Sequence, residues 1–380
     1  MTRIRLGMVG GGSDAFIGGV HRIAARIDGR FDLVAGALSS TPERARESGA
    51  ALGLDPDRSY DDFEAMAEAE AGREDGIEAV SIVTPNHVHA PAAMAFLKRG
   101  IHVICDKPLT ATQDEAEALA QAVEKADALF VLTHNYTGYP MIRQARAMVA
   151  AGDLGALRVV QVEYPQDWMT DAVETQGSKQ AEWRTDPARA GAGGAIGDIG
   201  THAYNLASFV TGLAGETLSA DLQSFGAGRS LDDNAHILLR YQGGARGMLW
   251  CSQVAPGCEN ALRLRVFGTK GGIEWAQEDP NYLWFTPHGE PKRLLTRGGA
   301  GASDAAAAVS RTPGGHPEGY LEGFATLYNE AADAIRAVQG GTPRAEAMGQ
   351  LPDIAAGLEG MRFIAACVAS SGKDAAWTAL

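Results

Sequence analysis

The sequence near the N-terminus reads Ile4-Arg5-Leu6-Gly7-Met8-Val9-Gly10-Gly11-Gly12-Ser13-Asp14-Ala15-Phe16-Ile17-Gly18. Residues Ile4–Val9 have the apolar pattern of a β-strand, and a helical pattern runs from about Ala15 to Ile27. The glycines between them let the chain turn tightly and let the backbone approach a pyrophosphate at the positive end of the helix. The stretch therefore predicts the first βα unit of a dinucleotide-binding fold, with Gly10, Gly12 and Ala15 holding the cofactor.

Some features of this turn stay open. An ordinary tight loop is also rich in glycine, so the motif gains weight from its place between a strand and a helix. The turn is longer than usual, and either Ala15 or Gly18 is the third small residue. Asp14 lies inside the turn, where its negative charge is unfavourable for a pyrophosphate unless the side chain points outward.

Up to residue 135, short apolar strand patterns alternate with helical patterns. The further strands are expected at Phe31–Leu38, Ala79–Val83, Ile101–Cys105 and Leu129–Thr133, and the helices at Pro42–Leu52, Asp61–Ala69, His89–Arg99 and Ala111–Ala126. Such alternation predicts a parallel sheet that helices cover on both faces. The fold class is therefore α/β, and residues 1–135 are expected to form a doubly wound Rossmann domain that binds a dinucleotide.

Residues 136–380 have a different pattern, which predicts an α+β domain with a large open, mostly antiparallel sheet. Strands are expected at Leu157–Tyr164, Leu218–Phe225, Ala235–Tyr241, Gly247–Gln253, Ala261–Phe267 and Tyr282–Phe285, and helices at Tyr139–Ala151, Ile199–Thr211, Glu318–Val338 and Leu351–Ser370. Long loops are expected at 165–196 and 288–316. This domain is expected to bind the substrate and to form the oligomer, and its C-terminal helix is expected to pack back on the first domain.

The composition narrows the possible classes of protein. The chain has 380 residues, of which 45% are hydrophobic and 21% charged, which fits a globular protein of two domains. Its net charge of -14 disfavours nucleic acid and anionic membranes as partners. The four cysteines have no CxxC spacing, no signal peptide precedes Ile4, and no run reaches the roughly 18 apolar residues of a membrane span. We therefore expect a cytoplasmic protein.

The segment after the second strand bears on the choice of cofactor. It reads Ala37-Leu38-Ser39-Ser40-Thr41, without the acid that often binds the ribose in NAD enzymes. Ser39, Ser40 and Arg44 could instead hold the 2′-phosphate of NADP, or the serines could merely cap the helix that starts at Pro42. The expected cofactor is therefore NAD or NADP.

Two further segments follow strands of the expected parallel sheet. Thr84-Pro85-Asn86-His87-Val88-His89 follows the third strand, and Asp106-Lys107-Pro108 follows the fourth. Because such sheets bind ligands at the carboxyl ends of their strands, both segments are candidates for the nicotinamide end of the cofactor. The expected contacts are Thr84, Pro85, Asn86, His89, Asp106 and Lys107. A helix-entry turn capped by Asn86 is the structural alternative for the first segment, and both interpretations can hold together.

Three titratable residues suggest hydride transfer to or from an alcohol carbon. Asp198 and His202 lie four apart at the start of a helical run, so an α-helix would place them on one face. His202 is the candidate base for the hydroxyl proton, Lys107 can stabilise charge on the same oxygen, and Asp198 can orient the substrate. A structural histidine, a solvated lysine and a helix N-cap are the alternatives for each residue alone, but the three together favour catalysis.

Four segments in this order resemble one known family. The glycine-rich turn, Thr84–His89, Asp106–Pro108 and Gly193–His202 are similar to the glucose–fructose oxidoreductase / inositol dehydrogenase (Gfo/Idh/MocA) family, and the resemblance covers nearly the whole chain. It implies a Rossmann domain followed by an α/β domain whose sheet often forms a dimer interface. A homo-oligomer, either a dimer or a tetramer, is therefore expected.

The resemblance also implies roles for single residues. By match to the family motifs, Lys107 and His202 would serve proton transfer and Asp198 would bind the substrate. The chain departs from the family at two positions: Asp106 replaces the usual glutamate of Glu-Lys-Pro, and Asn205 stands where an acid is often found. Asn205 can still hydrogen-bond a hydroxyl but supplies no charge, which puts simple inositol dehydrogenase activity in doubt.

The stretch 165–196 offers groups that suit a small uncharged polyol or sugar, because indole rings stack on sugar rings while amides and carboxylates bind hydroxyls. The candidates in and near it are Gln166, Asp167, Trp168, Lys179, Trp183 and Arg184, with His236 and the run His316–Tyr320 as possible lining of the cleft. The expected substrate-binding set is Asn135, Trp168, Trp183, Arg184, Asp198, His202 and Asn205. A surface loop anchored by tryptophan is the alternative. Levoglucosan dehydrogenases are among the neighbours that the resemblance suggests.

The principal hypothesis is an NAD(P)-dependent dehydrogenase of a sugar, anhydrosugar or cyclitol. An NAD-retaining glycosidase that uses transient oxidation and a cofactor-binding regulator without turnover are the alternatives. A zinc enzyme is disfavoured, because no third ligand accompanies Asp198 and His202 at a clear spacing. No metal is expected.

Overall fold

The computed structural model describes residues 2–13 and 15–380. Asp14, whose charge was of concern in the glycine-rich turn, lies outside the described residues. The chain divides into two compact units, one made of Met1–Asn135 with Leu321–Leu358 and the other of Tyr136–Tyr320 with Glu359–Leu380.

The strands are β1 (Ile4–Gly10), β2 (Phe31–Ala37), β3 (Ala79–Val83), β4 (His102–Cys105), β5 (Phe130–Leu132), β6 (Leu157–Pro165), β7 (Gly215–Gln223), β8 (Asn234–Tyr241), β9 (Arg246–Ser252), β10 (Arg263–Gly268), β11 (Gly271–Ala276), β12 (Tyr282–Pro287), β13 (Arg293–Thr296) and β14 (Thr378–Ala379). The helices are α1 (Phe16–Ile27), α2 (Pro42–Ala51), α3 (Phe63–Ala71), α4 (His89–Leu97), α5 (Gln113–Lys125), α6 (Pro140–Ala150), α7 (Lys179–Arg184), α8 (Pro187–Ala190), α9 (Thr201–Thr211), α10 (Asp304–Ala307), α11 (Tyr320–Gln339), α12 (Arg344–Ala347) and α13 (Ile354–Ser371). A π-helical turn (Ile196–Gly200) leads directly into α9.

The first unit contains the parallel sheet that the sequence predicts. Its strand order is β2-β1-β3-β4-β5, and every pair of neighbours is parallel. Strands β2 and β3 lie on opposite sides of β1, so the strand order reverses direction there. In such sheets a ligand binds in the crevice outside the carboxyl ends of the strands at this point, here β1 and β3. The predicted doubly wound Rossmann sheet is confirmed.

A later segment of the chain completes this first unit. Tyr328 of α11 is buried, and its hydroxyl lies 2.8 Å from Ser81 Oγ of β3 and 2.9 Å from His21 Nδ1 of α1. Arg30 Nη1 donates to Asn329 Oδ1 at 2.6 Å. The segment Leu321–Leu358 therefore shares its core and its polar contacts with the nucleotide-binding sheet.

The second unit contains a sheet of order β13-β12-β11-β10-β6-β9-β8-β7-β14. Its neighbouring strands are antiparallel except for β6 and β9, which are parallel. Side chains alternate between the faces, so β8 buries Ile237 and Leu239 while it exposes His236 and Leu238. The predicted large, mostly antiparallel sheet is confirmed.

The sequence did not predict β11, because Gly271-Gly272 has the composition of a turn. In the structure these glycines begin β11, and Ile273 and Trp275 of the same strand are buried. A Cβ atom on Gly271 would lie 2.8 Å from the carbonyl oxygen of Thr286 on β12. The glycine therefore permits a close approach of β11 and β12. This contact joins residues that are distant in the sequence, so local sequence patterns do not predict it.

The two segments that were expected to be loops contain short elements of their own. Helices α7 and α8 lie within 165–196, and β13 and α10 lie within 288–316. Each of these helices begins at a polar side chain that accepts a backbone N–H: Ser178 for α7, Asp186 for α8 and Ser303 for α10. Local capping explains why these helices form without an apolar periodicity.

Helix α13 is the one helix among the described residues that meets a length and composition criterion for a membrane span. It is long and apolar enough by length and composition to cross a membrane, although it includes Glu359 and Arg362. In the second unit, however, Glu359 accepts a hydrogen bond from Tyr204 at 3.0 Å, and Phe363 stacks on the Tyr204 ring. These contacts are those of a helix packed in a protein core.

Candidate active site

The glycine-rich turn after β1 has the backbone that a bound dinucleotide requires. Gly10 and Gly11 have φ angles of 76° and 69°, a left-handed conformation that favours glycine. The Gly12 N–H donates to Leu38 O at 3.1 Å, and a Cβ atom on Gly12 would lie 2.9 Å from that oxygen. A side chain at any of these positions would strain or block the turn.

The close approach between the turn and α1 occurs at Gly18. A Cβ atom there would lie 2.4 Å from both Cα and O of Gly11. Ala15 is instead the residue that immediately precedes α1. Of the two residues that the sequence left open, Gly18 therefore fills the third small position, and it is missing from the set of expected cofactor contacts.

These features together fit a dinucleotide. The turn has no Cβ atoms where the backbone must come close, and it leads into the positive N-terminal end of α1. Gly10, Gly11 and Gly12 would hold the pyrophosphate, and Gly18 would let α1 pack close beside it. When bound, a nicotinamide cofactor supplies a carbon that accepts or donates a hydride.

The residues after β2 lie at the start of α2. Thr41 occupies the N-cap position but makes no side-chain capping bond, and Ser39 Oγ accepts a hydrogen bond from Thr41 N at 3.2 Å. Ser40 and Arg44 are exposed. Ser40 therefore does not act as the helix cap that was its structural alternative.

The loops after β3 and β4 lie at the same edge of the sheet, because these strands are parallel neighbours. Asp106 organises the second loop: its Oδ1 accepts hydrogen bonds from Lys107 N at 2.9 Å and Thr133 Oγ1 at 3.0 Å. Next to this loop, burial and then Lys107 lower the pKa of His134 to about 3, so that imidazole is neutral.

His89 connects the two loops. Its Nδ1 lies 2.8 Å from Pro108 O and its Nε2 lies 2.9 Å from Thr84 O, and the side chain is fully buried. Burial lowers the pKa of His89, while Asp106 and the two carbonyl groups act in the opposite direction. The ring thus contacts protein carbonyls on both sides, so His89 positions the Thr84 and Lys107 loops and is not placed as a direct cofactor contact.

In the second unit, Asp232 fixes the segment that carries the candidate catalytic residues. Its carboxylate accepts hydrogen bonds from Gly194 N at 2.7 Å and Ile196 N at 2.9 Å, and its carbonyl oxygen accepts from Ala195 N at 2.8 Å. A Cβ atom on Gly194 would lie 2.0 Å from that carbonyl oxygen. Burial raises the pKa of Asp232 to about 6. No sequence motif predicts this role, because Asp232 lies in a polar stretch far along the chain from residues 194–196.

Asp198 lies inside the π-helical turn, and its N–H donates to Gly194 O at 3.0 Å, so it is not a helix N-cap. Its Oδ2 accepts hydrogen bonds from Arg184 Nε at 3.1 Å and Gln253 Nε2 at 2.9 Å. The structure places Asp198 in a π turn and His202 in the α-helix that follows it, so the segment between them is not a regular α-helix. Such turns are frequent at functional sites.

His202 lies on α9 and is 7% exposed. The ring of Tyr136 meets it edge-on at a centroid distance of 4.9 Å, and the ring of Tyr164 lies 6.4 Å away. Burial raises the pKa of Tyr136 to about 12 and raises that of Tyr164 well above its ordinary value. Both phenols therefore stay protonated at neutral pH, and the imidazole lies beside neutral aromatic groups of its own unit.

The other candidate substrate contacts, of which Trp168, Trp183 and Arg184 lie in the stretch 165–196 (the substrate loop), have different surroundings. Trp168 and Asn205 are half-buried, and Trp183 lies 4.3 Å below the guanidinium of Arg184. Arg184 thereby links Trp183 to Asp198. Asn135 is buried at the end of the first unit's sheet, where its N–H donates to Thr133 O.

Several residues suggested for the cleft lie elsewhere. His236 is on the exposed face of the open sheet, with its ring parallel to that of Trp250. Glu318, in the run His316–Tyr320, is buried in an ion pair with Arg297 at 2.9 Å. Lys179 is exposed at the start of α7. These residues are structural or solvent-facing. Across residues 2–13 and 15–380, no group of three or more His, Cys, Asp or Glu side chains is placed to hold a metal ion.

The described fold and residues match one class of enzyme. Residues 4–134 match the model of the oxidoreductase family with an NAD-binding Rossmann fold, and residues 142–274 match the GFO/IDH/MocA C-terminal domain. The chain belongs to the GFO/IDH/MocA family of oxidoreductases.

Similar proteins agree with this membership. An oxidoreductase from Sinorhizobium meliloti of known crystal structure is 61% identical, with a TM-score of 0.90 and 99% of each chain covered. An inositol dehydrogenase homolog from Azotobacter vinelandii, crystallised with NADH and myo-inositol, is 39% identical, with a TM-score of 0.93 over 100% of this chain and 98% of that one. A levoglucosan dehydrogenase from Pseudarthrobacter phenanthrenivorans is 29% identical over 73% of this chain and 75% of its own.

Substitution of Gly18 tests the dinucleotide turn. In Gly18→Ala the new Cβ atom meets the backbone of Gly11, so the turn and α1 must move apart. We expect the dissociation constant for the nicotinamide cofactor, measured by calorimetry, to rise about tenfold or more. Gly19→Ala is the matched control, because its Cβ atom meets no atom closer than 4.0 Å. Equal affinities of the two variants would contradict the assignment.

His89→Leu tests the link between the two loops. A neutral imidazole carries one N–H, so His89 donates to only one of Thr84 O and Pro108 O. The substitution removes that donor, so we expect the free energy of unfolding to fall by about 1–3 kcal/mol. Urea unfolding measures this change. The exposed His236→Leu is the control and should change the same quantity by about 0.5 kcal/mol or less. A loss below about 1 kcal/mol for His89→Leu would show that the two contacts contribute little.

Proposed function

We propose that this oxidoreductase transfers a hydride between NAD or NADP and a secondary alcohol of a sugar, anhydrosugar or cyclitol. The observation that carries the proposal is the π-helical turn and α9 of the second unit, which hold Asp198 and His202 in a segment fixed by Asp232. The names of the similar inositol and levoglucosan dehydrogenases support the substrate class.

His202 acts as the general base that takes the hydroxyl proton during oxidation and returns it during reduction. The edge-on contact with Tyr136 fixes the plane of its ring. Lys107 stabilises the negative charge that develops on the same oxygen. The chain of bonds Lys107–Asp106–Thr133 holds the lysine's backbone at the carboxyl edge of the first unit's sheet.

Asp198 binds the substrate through a neighbouring hydroxyl. Arg184 and Gln253 both donate to its Oδ2, so the carboxylate has a fixed orientation and its charge is balanced by the guanidinium. Arg184 in this arrangement acts on the substrate through Asp198, and Trp183 supports it from the other side. Trp168, Asn205 and Asn135 complete the expected substrate contacts.

The cofactor is held by the first unit. The glycine turn and Gly18 would bind the pyrophosphate, Ser39, Ser40 and Arg44 would surround the adenosine ribose, and Thr84, Pro85, Asn86 and Asp106 would form the nicotinamide end. Ser40 and Arg44 are exposed where a 2′-phosphate could bind, and no acid stands in that segment. The first unit is thus proposed as the dinucleotide-binding domain and the second as the substrate-binding one.

The open sheet supports a homo-oligomeric enzyme. Its outer face exposes large apolar side chains along adjacent strands, namely Val159, Leu238, Met248, Phe267, Trp284 and Leu294. These side chains form three cross-strand pairs, Val159 with Phe267, Leu238 with Met248 and Trp284 with Leu294, and exposed apolar groups gathered on one face are a feature of interfaces. We propose that a second copy of the chain covers this face, as a dimer or within a tetramer, and that the enzyme works in the cytoplasm.

The reaction is tested by the absorbance of reduced nicotinamide. Purified enzyme is mixed with NAD or NADP and a panel that includes myo-inositol, levoglucosan and simple sugars. We expect growth of the band with at least one member, and a fall in turnover of about two to four orders of magnitude in His202→Ala and in Lys107→Ala, with the cofactor still bound. Release of a free aglycone from a glycoside without growth of the band would support an NAD-retaining glycosidase instead.

Ser40→Asp tests the cofactor end. A carboxylate at this position would accept hydrogen bonds from the free ribose hydroxyls of NAD and would repel the 2′-phosphate of NADP. We expect the ratio of kcat/KM for NAD to that for NADP to rise about tenfold or more. An unchanged ratio would remove Ser40 from the ribose position.

A further inference from the structure

A chain of hydrogen bonds runs through the second unit from the substrate loop to the ring beside His202. Trp168 Nε1 donates to Gln166 Oε1 at 3.1 Å, and Gln166 Nε2 donates to Asn260 Oδ1 at 2.7 Å. The Tyr164 hydroxyl lies 2.8 Å from the same Asn260 oxygen, and it also bonds to the Tyr136 hydroxyl. Tyr136 is the residue whose ring contacts His202.

The indole of Trp168 fixes the direction of every bond in this chain. An indole N–H only donates, so the Gln166 atom that faces it is the oxygen, and the other Gln166 atom is the donating nitrogen. The Asn260 atom that faces this nitrogen must then be Oδ1. Because that oxygen only accepts, the Tyr164 hydroxyl donates its hydrogen to it. The Tyr164 oxygen therefore accepts the hydrogen bond that the Tyr136 hydroxyl donates.

The amide oxygen of Asn260 is thus the shared acceptor at which the two parts of the chain meet. This oxygen accepts from Tyr164 on one side and from Gln166 on the other. Tyr164 and Tyr136 are both 3% exposed, so the loss of this acceptor would leave a buried phenol without its partner. The backbone N–H of Asn260 is held separately by Glu278 at 3.0 Å, so the side chain can be changed without releasing the backbone.

We propose that Asn260 is a positioning residue that couples the placement of Trp168 in the substrate loop to the placement of Tyr136 against His202. The proposal rests on the proposed function, in which His202 exchanges the proton and Trp168 contacts the substrate. Asn260 itself touches neither the substrate nor the cofactor in this role. Its amide oxygen is one acceptor that Tyr164 and Gln166 both use, and its side chain also hydrogen-bonds to Tyr136.

The chemistry of this role predicts which substitution is tolerated. Asn260→Asp keeps an acceptor at the required position, whereas Asn260→Ala removes it. In steady-state assays with the polyol that the wild-type enzyme oxidises, we expect kcat/KM to fall about ten- to a hundredfold in Asn260→Ala and to stay within about threefold in Asn260→Asp. The loss should appear both as a higher KM, from Trp168, and as a lower kcat, from the ring beside His202.

Asn234→Ala is the matched control. Asn234 Oδ1 also accepts from an indole, that of Trp250 at 3.0 Å, and Asn234 is itself buried, but this pair has no bond to the chain described above. The control variant loses the same type of bond and should keep kcat and KM within about twofold of the wild type. Equal losses in Asn260→Ala and Asn234→Ala would attribute the effect to general destabilisation and overturn the proposal.

Hydrogen–deuterium exchange supplies a measurement that does not depend on turnover. The amides of Gln166 and Met169 donate to Ser252 O and Gln253 O at 2.7 and 3.0 Å, so they report the attachment of the loop. We expect these amides to exchange about tenfold faster in Asn260→Ala and at the wild-type rate in Asn260→Asp. An unchanged rate in Asn260→Ala overturns the coupling. A wild-type enzyme that oxidises no polyol while the amides respond as expected refutes the proposed function but keeps the link between Asn260 and the loop.

Discussion

The hydrogen bonds that residues 194–196 donate to Asp232 are the interaction on which the segment with Asp198 and His202 depends. The first N–H groups of a helix have no partner within the helix, and buried N–H groups without partners are costly. Asp232 satisfies three of them in succession, two through its carboxylate and one through its carbonyl group. Burial raises the pKa of Asp232 to about 6, so the folded protein holds this proton more tightly than the unfolded chain does. The contribution of Asp232 to the free energy of unfolding therefore falls as the pH rises through that value. At neutral pH the buried carboxylate is ionised, which costs desolvation energy, and both of its oxygens accept hydrogen bonds from the backbone.

A second constraint, the absence of a Cβ atom, recurs in both units. A Cβ atom on Gly18 would lie 2.4 Å from Cα and O of Gly11, and a Cβ atom on Gly194 would lie 2.0 Å from the carbonyl oxygen of Asp232. In each case a glycine allows one backbone to lie against another, and a functional segment starts at that contact. The glycines of the two motifs therefore act through packing distance as much as through backbone flexibility.

How much of this was accessible from the sequence depends on the range of the interaction. The Rossmann sheet and the large mostly antiparallel sheet follow from local periodicity, and Lys107 and His202 stand out because each follows a strand or opens a helix. The π turn, the role of Gly18 and the anchor at Asp232 arise from residues that meet only through space. His89 illustrates the difference, because its motif pointed to the cofactor while its buried ring contacts two carbonyl groups of the protein. β11 was missed for the same reason, since its glycines serve a contact with β12.

The substrate loop is held in two chemically different ways, and this difference supports an uncharged substrate. Arg184 pairs with Asp198, so the guanidinium is already balanced by a carboxylate and would gain little from an anionic ligand. Trp168 is held by a neutral chain through Gln166 and Asn260, whose direction the indole itself determines. A carboxylate substrate would have to compete with Asp198 for its arginine, whereas a hydroxyl can bind to the ion pair without separating it. The balance of charge within the loop therefore favours a polyol over an acid.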